Sequence, residues 1–151
     1  MSQELIHGTA VAINGNGILL VGPSGSGKSD LALRLIDRGS VLVSDDIVIL
    51  SNVGNCLSVG AAPNIEGKIE VRGVGICTVP HVPSASLRLV IALSDKVERL
   101  PDENRTIKLL GVDVPQLDLA PFEISTALKV EIALRDVVDA TVDAVSQGQQ
   151  E

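Results

Sequence analysis

Aromatic side chains are almost missing from this chain: Phe122 stands alone, with no Trp and no Tyr. A core of stacked rings is therefore excluded. The interior must be Val, Ile, Leu and Ala, and any flat ring bound here would rest mainly on aliphatic groups. Basic residues are in deficit, 12 Lys and Arg against 19 Asp and Glu, for a formal charge of −7. Phosphate-backbone binding needs a cationic face, and the basic residues are scattered singly, so no nucleic acid partner is expected. Cys56 and Cys77 carry no CxxC spacing, which predicts two buried thiols in a reducing compartment rather than a disulfide. No apolar run approaches the roughly 20 residues of a membrane span. The start, "MSQELIHGTA", has neither the basic nor the apolar region of a signal peptide. The expectation is a cytoplasmic protein with no membrane segment.

What is present suits one compact α/β domain over residues 1–151, with 45% apolar and 21% charged residues. "LIHGTAVAI" and "GILLVG" flank "NGNG", and Asn-Gly pairs tolerate positive φ, so the two runs predict a hairpin. The helical segment "SDLALRLIDRG" follows, with Leu31, Ala32, Leu35 and Ile36 on one face and Gly39 as its stop. "SVLVSDDIVIL" predicts a strand on either side of an Asp pair, and "SNVGN" a turn. The glycine-rich residues 57–80 predict a long loop, part of it mobile, with a short strand at "KIEVRG". "SLRLVIAL" predicts a buried strand, and "TIKLLGVDVPQLDLAP" two shorter strands joined through Gly111. Residues 125–147 predict the longest helix, with Ser125 as N-cap and an apolar stripe through Ala127, Val130, Leu134, Val137, Val138 and Val145.

Between the second strand and the first helix, Gly22-Pro23-Ser24-Gly25-Ser26-Gly27-Lys28-Ser29 fits G-x-x-x-x-G-K-S/T at every fixed position. The spacing has a chemical reason. Glycines let backbone N–H groups converge on a β-phosphate, and the helix that follows aims its positive dipole end there. Lys28 reaches the β- and γ-oxygens, and the Ser29 hydroxyl binds Mg²⁺. The strand–loop–helix context is the one a phosphate loop requires, but the loop does not name the reaction.

Asp45 and Asp46 interrupt an otherwise apolar run. In phosphate-loop folds an acid at the end of a neighbouring strand serves Mg²⁺ or orients the nucleophile. Adjacent carboxylates on a strand face opposite ways and would have separate jobs; the alternative is a two-residue turn, for which Asp is well suited. His7 would lie near the phosphates if the hairpin brings "LIHG" beside the loop strand. His81, between two prolines, reads as a loop residue. In "EGKIEVRGVGI", Arg72 could stabilise a transferring phosphoryl group and Glu70 could add a metal ligand; a solvated hairpin of alternating charge is the alternative. Arg99 reads either as an arginine finger or as a surface residue.

Taken together, "IHG", "GPSGSGKSD", "LVSDDIV", "GAAPNIEGKIEVRGVGI" and "DKVERL", in that order, resemble the kinase domain of the HPr kinase/phosphorylase family. "IEVRGVGI" is the most discriminating part. The resemblance covers roughly residues 5–120 and implies a phosphoenolpyruvate-carboxykinase-like P-loop fold and a hexamer. It also implies ATP-dependent phosphorylation of a serine on HPr or an HPr-like phosphocarrier. By that likeness His7, Lys28, Arg72 and Arg99 are active-site residues, Ser29 and Glu70 hold the metal, and Asp46 is the proton acceptor, with Asp45 as the alternative. The family's N-terminal domain is not part of this sequence, which resembles a short form. The family's basic Pro-Gly-Arg-Asn-like stretch is replaced by "LAPFEIST", which predicts weak phosphorolysis. A P-loop kinase of small metabolites and a non-catalytic ATP sensor are the competing readings.

Overall fold

The structure, a computed structural model, describes residues 2–97 and 105–149, without the side chains of 142–149. In chain order the strands are β1 (Ser2–His7), β2 (Thr9–Ile13), β3 (Asn16–Val21), β4 (Val41–Ser44), β5 (Ile47–Val53) and β6 (Cys56–Ala61). They continue as β7 (Lys68–Val71), β8 (Gly75–Thr78), β9 (Ser84–Leu93), β10 (Thr106–Leu109) and β11 (Val112–Leu119). Helix α1 (Lys28–Asp37) follows β3, and α2 (Thr126–Gln149) follows β11.

One mixed sheet runs β1-β5-β6-β9-β3-β2-β4. Strand β9 is its hub. It lies parallel to β3 on one side; on the other its start pairs with β6 and its end runs parallel to β11, which pairs in turn with β10. The expected hairpin is there, with Ile13 opposite Asn16 and positive φ at Asn14 (51°) and Gly15 (80°). The apolar run before it is not one strand, however. It divides at Gly8, so that β1 pairs with β5 while β2 pairs with β3 and β4. Gly8 is where the chain crosses close to β3, and a Cβ there would sit 2.9 Å from the Leu20 carbonyl oxygen.

The central strands are buried on both faces, which explains their continuous apolar runs. On one face Ile18, Leu20, Leu89 and Ile91 meet Leu31, Ala32 and Leu35 of α1 and Ala127, Val130 and Leu134 of α2. On the other, Leu19, Leu87 and Val90 meet Val48, Leu50 and Val59. Leu87 and Leu89 face opposite ways because the β3–β9 register slips between them, a bulge that re-aims the strand. An ion pair of 2.7 Å between Arg38 and Glu131 joins the two helices. Gly39 ends α1 with φ 110°.

Three expectations fail, the first only in part, since the short strand read at "KIEVRG" is there as β7. Residues 57–80 are largely ordered pairing: β6 is bonded to both β5 and β9, and β7 and β8 form a hairpin. Glycines hid β6 because its strand character comes from partners on both sides and not from its own composition. The thiols are free but not buried, with Cys56 exposed beside the β5–β6 turn and Cys77 half-buried on β8. His81, expected in a loop, bridges to Leu42 and so caps the free edge of β4. No helix among the described residues is long and apolar enough to cross a membrane.

Candidate active site

The ends of β3, β4, β9 and β11 all point the same way. Strands β3, β9 and β11 are mutually parallel, and β4 is antiparallel to β2, which is antiparallel to β3. Ligands bind outside the carboxyl ends of such strands, where connections diverge and backbone amides are free. The glycine loop leaves β3 at this edge and enters α1 at Lys28, with Gly27 as N-cap in the left-handed region at φ 100°.

Lys28 is buried at 7% exposure, and its Nζ donates to the carbonyl oxygens of Gly22 (2.8 Å) and Pro23 (3.0 Å). The ammonium is thereby held across the loop, at the mouth where phosphate oxygens would compete for it. A cleft of about 480 Å³ opens in front, lined by His7, Thr9, Ser24, Gly25, Gly27, Lys28, Ser29, Asp30, Leu33, Asp46, Glu70, Val71, Arg72 and Phe122.

Asp45 and Asp46 form the two-residue turn between β4 and β5 instead of lying on a strand, so the turn and a place at the cleft are both realised. Asp45 is buried. Its Oδ1 accepts from the hydroxyls of Ser29 (2.6 Å) and Thr9 (3.0 Å), and its Oδ2 from the Glu70 backbone N–H (3.2 Å). Ser29 spends its proton on Asp45 and keeps its lone pairs for a cation. Asp46 is the opposite case. Its side chain is 71% exposed, its φ is 70°, and its Oδ1 lies 3.0 Å from Nε2 of His7. An exposed pair of this kind is worth about 0–1 kcal/mol to the fold, so stability does not explain it.

The β1–β5 pairing brings His7 there: it stands opposite Ile47, and the Gly8 N–H donates to the Asp46 carbonyl at 3.0 Å. Glu70 and Arg72 reach the same cleft from the β7–β8 hairpin, both with exposed side chains. Ile69, 1% exposed, anchors that hairpin in the core beside α1. Arg99 lies outside the described residues. The structure thus brings His7, Lys28, Ser29, Asp46, Glu70 and Arg72 around one cleft, with Asp45 directly behind Ser29.

Three contributors were not visible in the sequence. Thr9, fully buried, ties Asp45 to the Asp46 backbone N–H, which approaches its Oγ1 at 3.4 Å. Phe122 lies over the loop; a Cβ on Gly27 would meet its ring at 2.9 Å. Arg34 holds the Phe122 segment, donating to the carbonyls of Pro121 and Glu123 while pairing with Asp30. Only the position of Thr9 after "IHG" was a signal; the other two depend on where β11 delivers the chain.

Among the described residues there is no cluster of three His, Cys, Asp or Glu side chains suited to a metal. A cation bound here would take much of its shell from phosphate oxygens and water, which is the habit of Mg²⁺. Ser29 and Glu70 fit that role.

A glycine cradle at a strand's carboxyl end, a lysine inside it and a carboxylate behind its serine define a P-loop nucleotide-binding α/β domain. The chain belongs to the HPr Serine kinase C-terminal domain family, matched over residues 1–147. It is 40% identical over 124 residues to the HPr kinase/phosphorylase of Caldicellulosiruptor bescii, a match covering 74% of this chain and 40% of the relative. Against the HPr kinase/phosphorylase of Chlorobium luteolum it is 36% identical over 144 residues, covering 85% and 43%. The structure superposes on that of the Hpr(Ser) kinase/phosphatase from Coxiella burnetii with a TM-score of 0.76 at 31% identity, covering 88% of this chain and 95% of that one. The chain spans less than half the length of these two curated relatives.

Proposed function

We propose that this domain is an ATP-dependent protein-serine kinase acting on HPr or an HPr-like phosphocarrier. The observation that carries the reading is the division of labour between two adjacent carboxylates. Asp45 has both oxygens engaged beneath Ser29; Asp46 presents an exposed carboxylate to the cleft, oriented by His7.

In this reading the incoming serine hydroxyl gives its proton to Asp46 as its oxygen bonds to the γ-phosphorus. The bond from that phosphorus to the bridging oxygen breaks, and ADP leaves. Lys28 and Arg72 offset the charge that gathers on the phosphoryl and leaving oxygens. Ser29 and Glu70 would hold Mg²⁺, which would supply positive charge to the phosphates when bound with the nucleotide. Reversal by inorganic phosphate is weak, since Phe122 and Glu123 stand where the related family is basic, and Glu123 is paired with Lys129.

ATP as donor puts the reaction in the cytoplasm. Homo-oligomerisation, a hexamer in the family it resembles, is supported by exposed Leu128 and Ile132, four residues apart on α2, with exposed Ile124 just before the helix. The direct test incubates the protein with ATP, Mg²⁺ and a purified HPr-type carrier. A mass gain of one phosphate on a carrier serine is expected; an unmodified carrier alongside turnover of a small metabolite would reject the reading.

A further inference from the structure

A second cleft of about 400 Å³ lies on the far side of the glycine loop, lined by Pro23, Ser24, Gly25, Ser26, Leu93, Ser94, Asp95, Pro121 and Phe122. It opens at the carboxyl ends of β9 and β11, whereas Asp46 of the first cleft follows β4. The loop and the Phe122 ring line both clefts. A ligand gripped by the loop, with its reacting phosphate toward Asp46, can send its remaining part past the shared Ser24, Gly25 and Phe122 into the second cleft.

We propose that this second cleft is the nucleoside subsite and that Phe122 is the platform on which the base stacks. The inference rests on the triphosphate reading above and names the part of the substrate that reading leaves unplaced. The ring is 67% exposed, yet the segment carrying it is fixed. Arg34 donates to the carbonyls on both sides of it, Thr126 Oγ1 donates to the Ala120 carbonyl at 2.6 Å, and Lys129 pairs with Glu123 at 3.2 Å. A solvent-facing aromatic held this firmly loses little freedom when a second flat group lands on it. Leu93 and Pro121 supply apolar walls, and the Asp95 carboxylate accepts from a ribose hydroxyl or an exocyclic amine. The Ser26 hydroxyl, buried with no hydrogen-bond partner among the described residues, is a further polar group beside the cleft. Gly27 completes the arrangement, because any side chain there would push the ring off the loop.

The experiment compares ADP with pyrophosphate, both with Mg²⁺, by calorimetry on the wild type, Phe122→Ala and Phe122→Leu. Both variants should lose about tenfold in ADP affinity, the scale of one base–aromatic stack, while keeping pyrophosphate affinity. Phe122→Trp, which would be the chain's only tryptophan, should change its fluorescence with ADP and not with pyrophosphate. Unchanged ADP affinity in the variants, or an equal loss for both ligands, overturns the platform. A wild type that binds pyrophosphate as tightly as ADP overturns the nucleoside subsite alone. One that binds neither removes the phosphate cradle and the proposed function together.

Discussion

At Asp45 one carboxylate oxygen takes two hydroxyl protons and the other a backbone N–H, all inside the protein. Such a group orients its neighbours and, buried behind the cleft lining, is out of a substrate's reach. Asp45→Asn, which replaces one acceptor oxygen with an N–H₂ donor and removes the charge behind Ser29, should cost about 10–100-fold in affinity for Mg²⁺-nucleotide. Titrating ADP binding against Mg²⁺ reads this directly, and an unchanged Mg²⁺ dependence would contradict the assignment. Asp46 sits in the left-handed region at φ 70°, which Asp and Asn tolerate better than other residues with a Cβ. Asn is therefore the substitution that removes the proposed base and spares the backbone.

Helix α1 carries the loop, and its position is set by Leu31, Ala32 and Leu35, all fully buried against the sheet. Leu31→Ala should destabilise the fold by about 2–5 kcal/mol, since truncation leaves a cavity the packed sheet cannot close. Urea unfolding would measure it, and a loss below 1 kcal/mol would mean that α1 is not the lid of the core. Loop and helix were legible because glycine spacing and helical periodicity are local signals. Strands β3 and β9 were legible too, as apolar runs. Strand β6 was not, because "CLSVGA" becomes a strand only between β5 and β9. Of the residues around the cleft, His7, Lys28, Ser29, Asp46, Glu70 and Arg72 were legible as candidates, but Thr9 and Arg34 were not, nor was the turn geometry that buries Asp45 and exposes Asp46. Nor could the only aromatic be placed, since nothing near Phe122 records that β11 ends beside the loop.

For the whole molecule, the cleft joins elements far apart in sequence: β1, the loop, the β4–β5 turn, the β7–β8 hairpin and the segment after β11. The proposed forward transfer needs only what they present. Phosphorolysis must also bind inorganic phosphate, and the 121–125 segment brings an aromatic ring and an acid to that edge. Phosphate-dependent release of pyrophosphate from phospho-carrier should therefore be slow compared with the forward reaction; a comparable rate would show that the cations come from elsewhere. The central claim is that the loop grips the nucleotide while Asp46 deprotonates the alcohol. Its most direct test is carrier phosphorylation by the wild type and Asp46→Asn, followed by mass spectrometry, with ADP binding measured in parallel. Equal ADP affinity and a fall in transfer of about 10²–10⁴-fold are expected in the variant. Wild-type transfer by Asp46→Asn would contradict it.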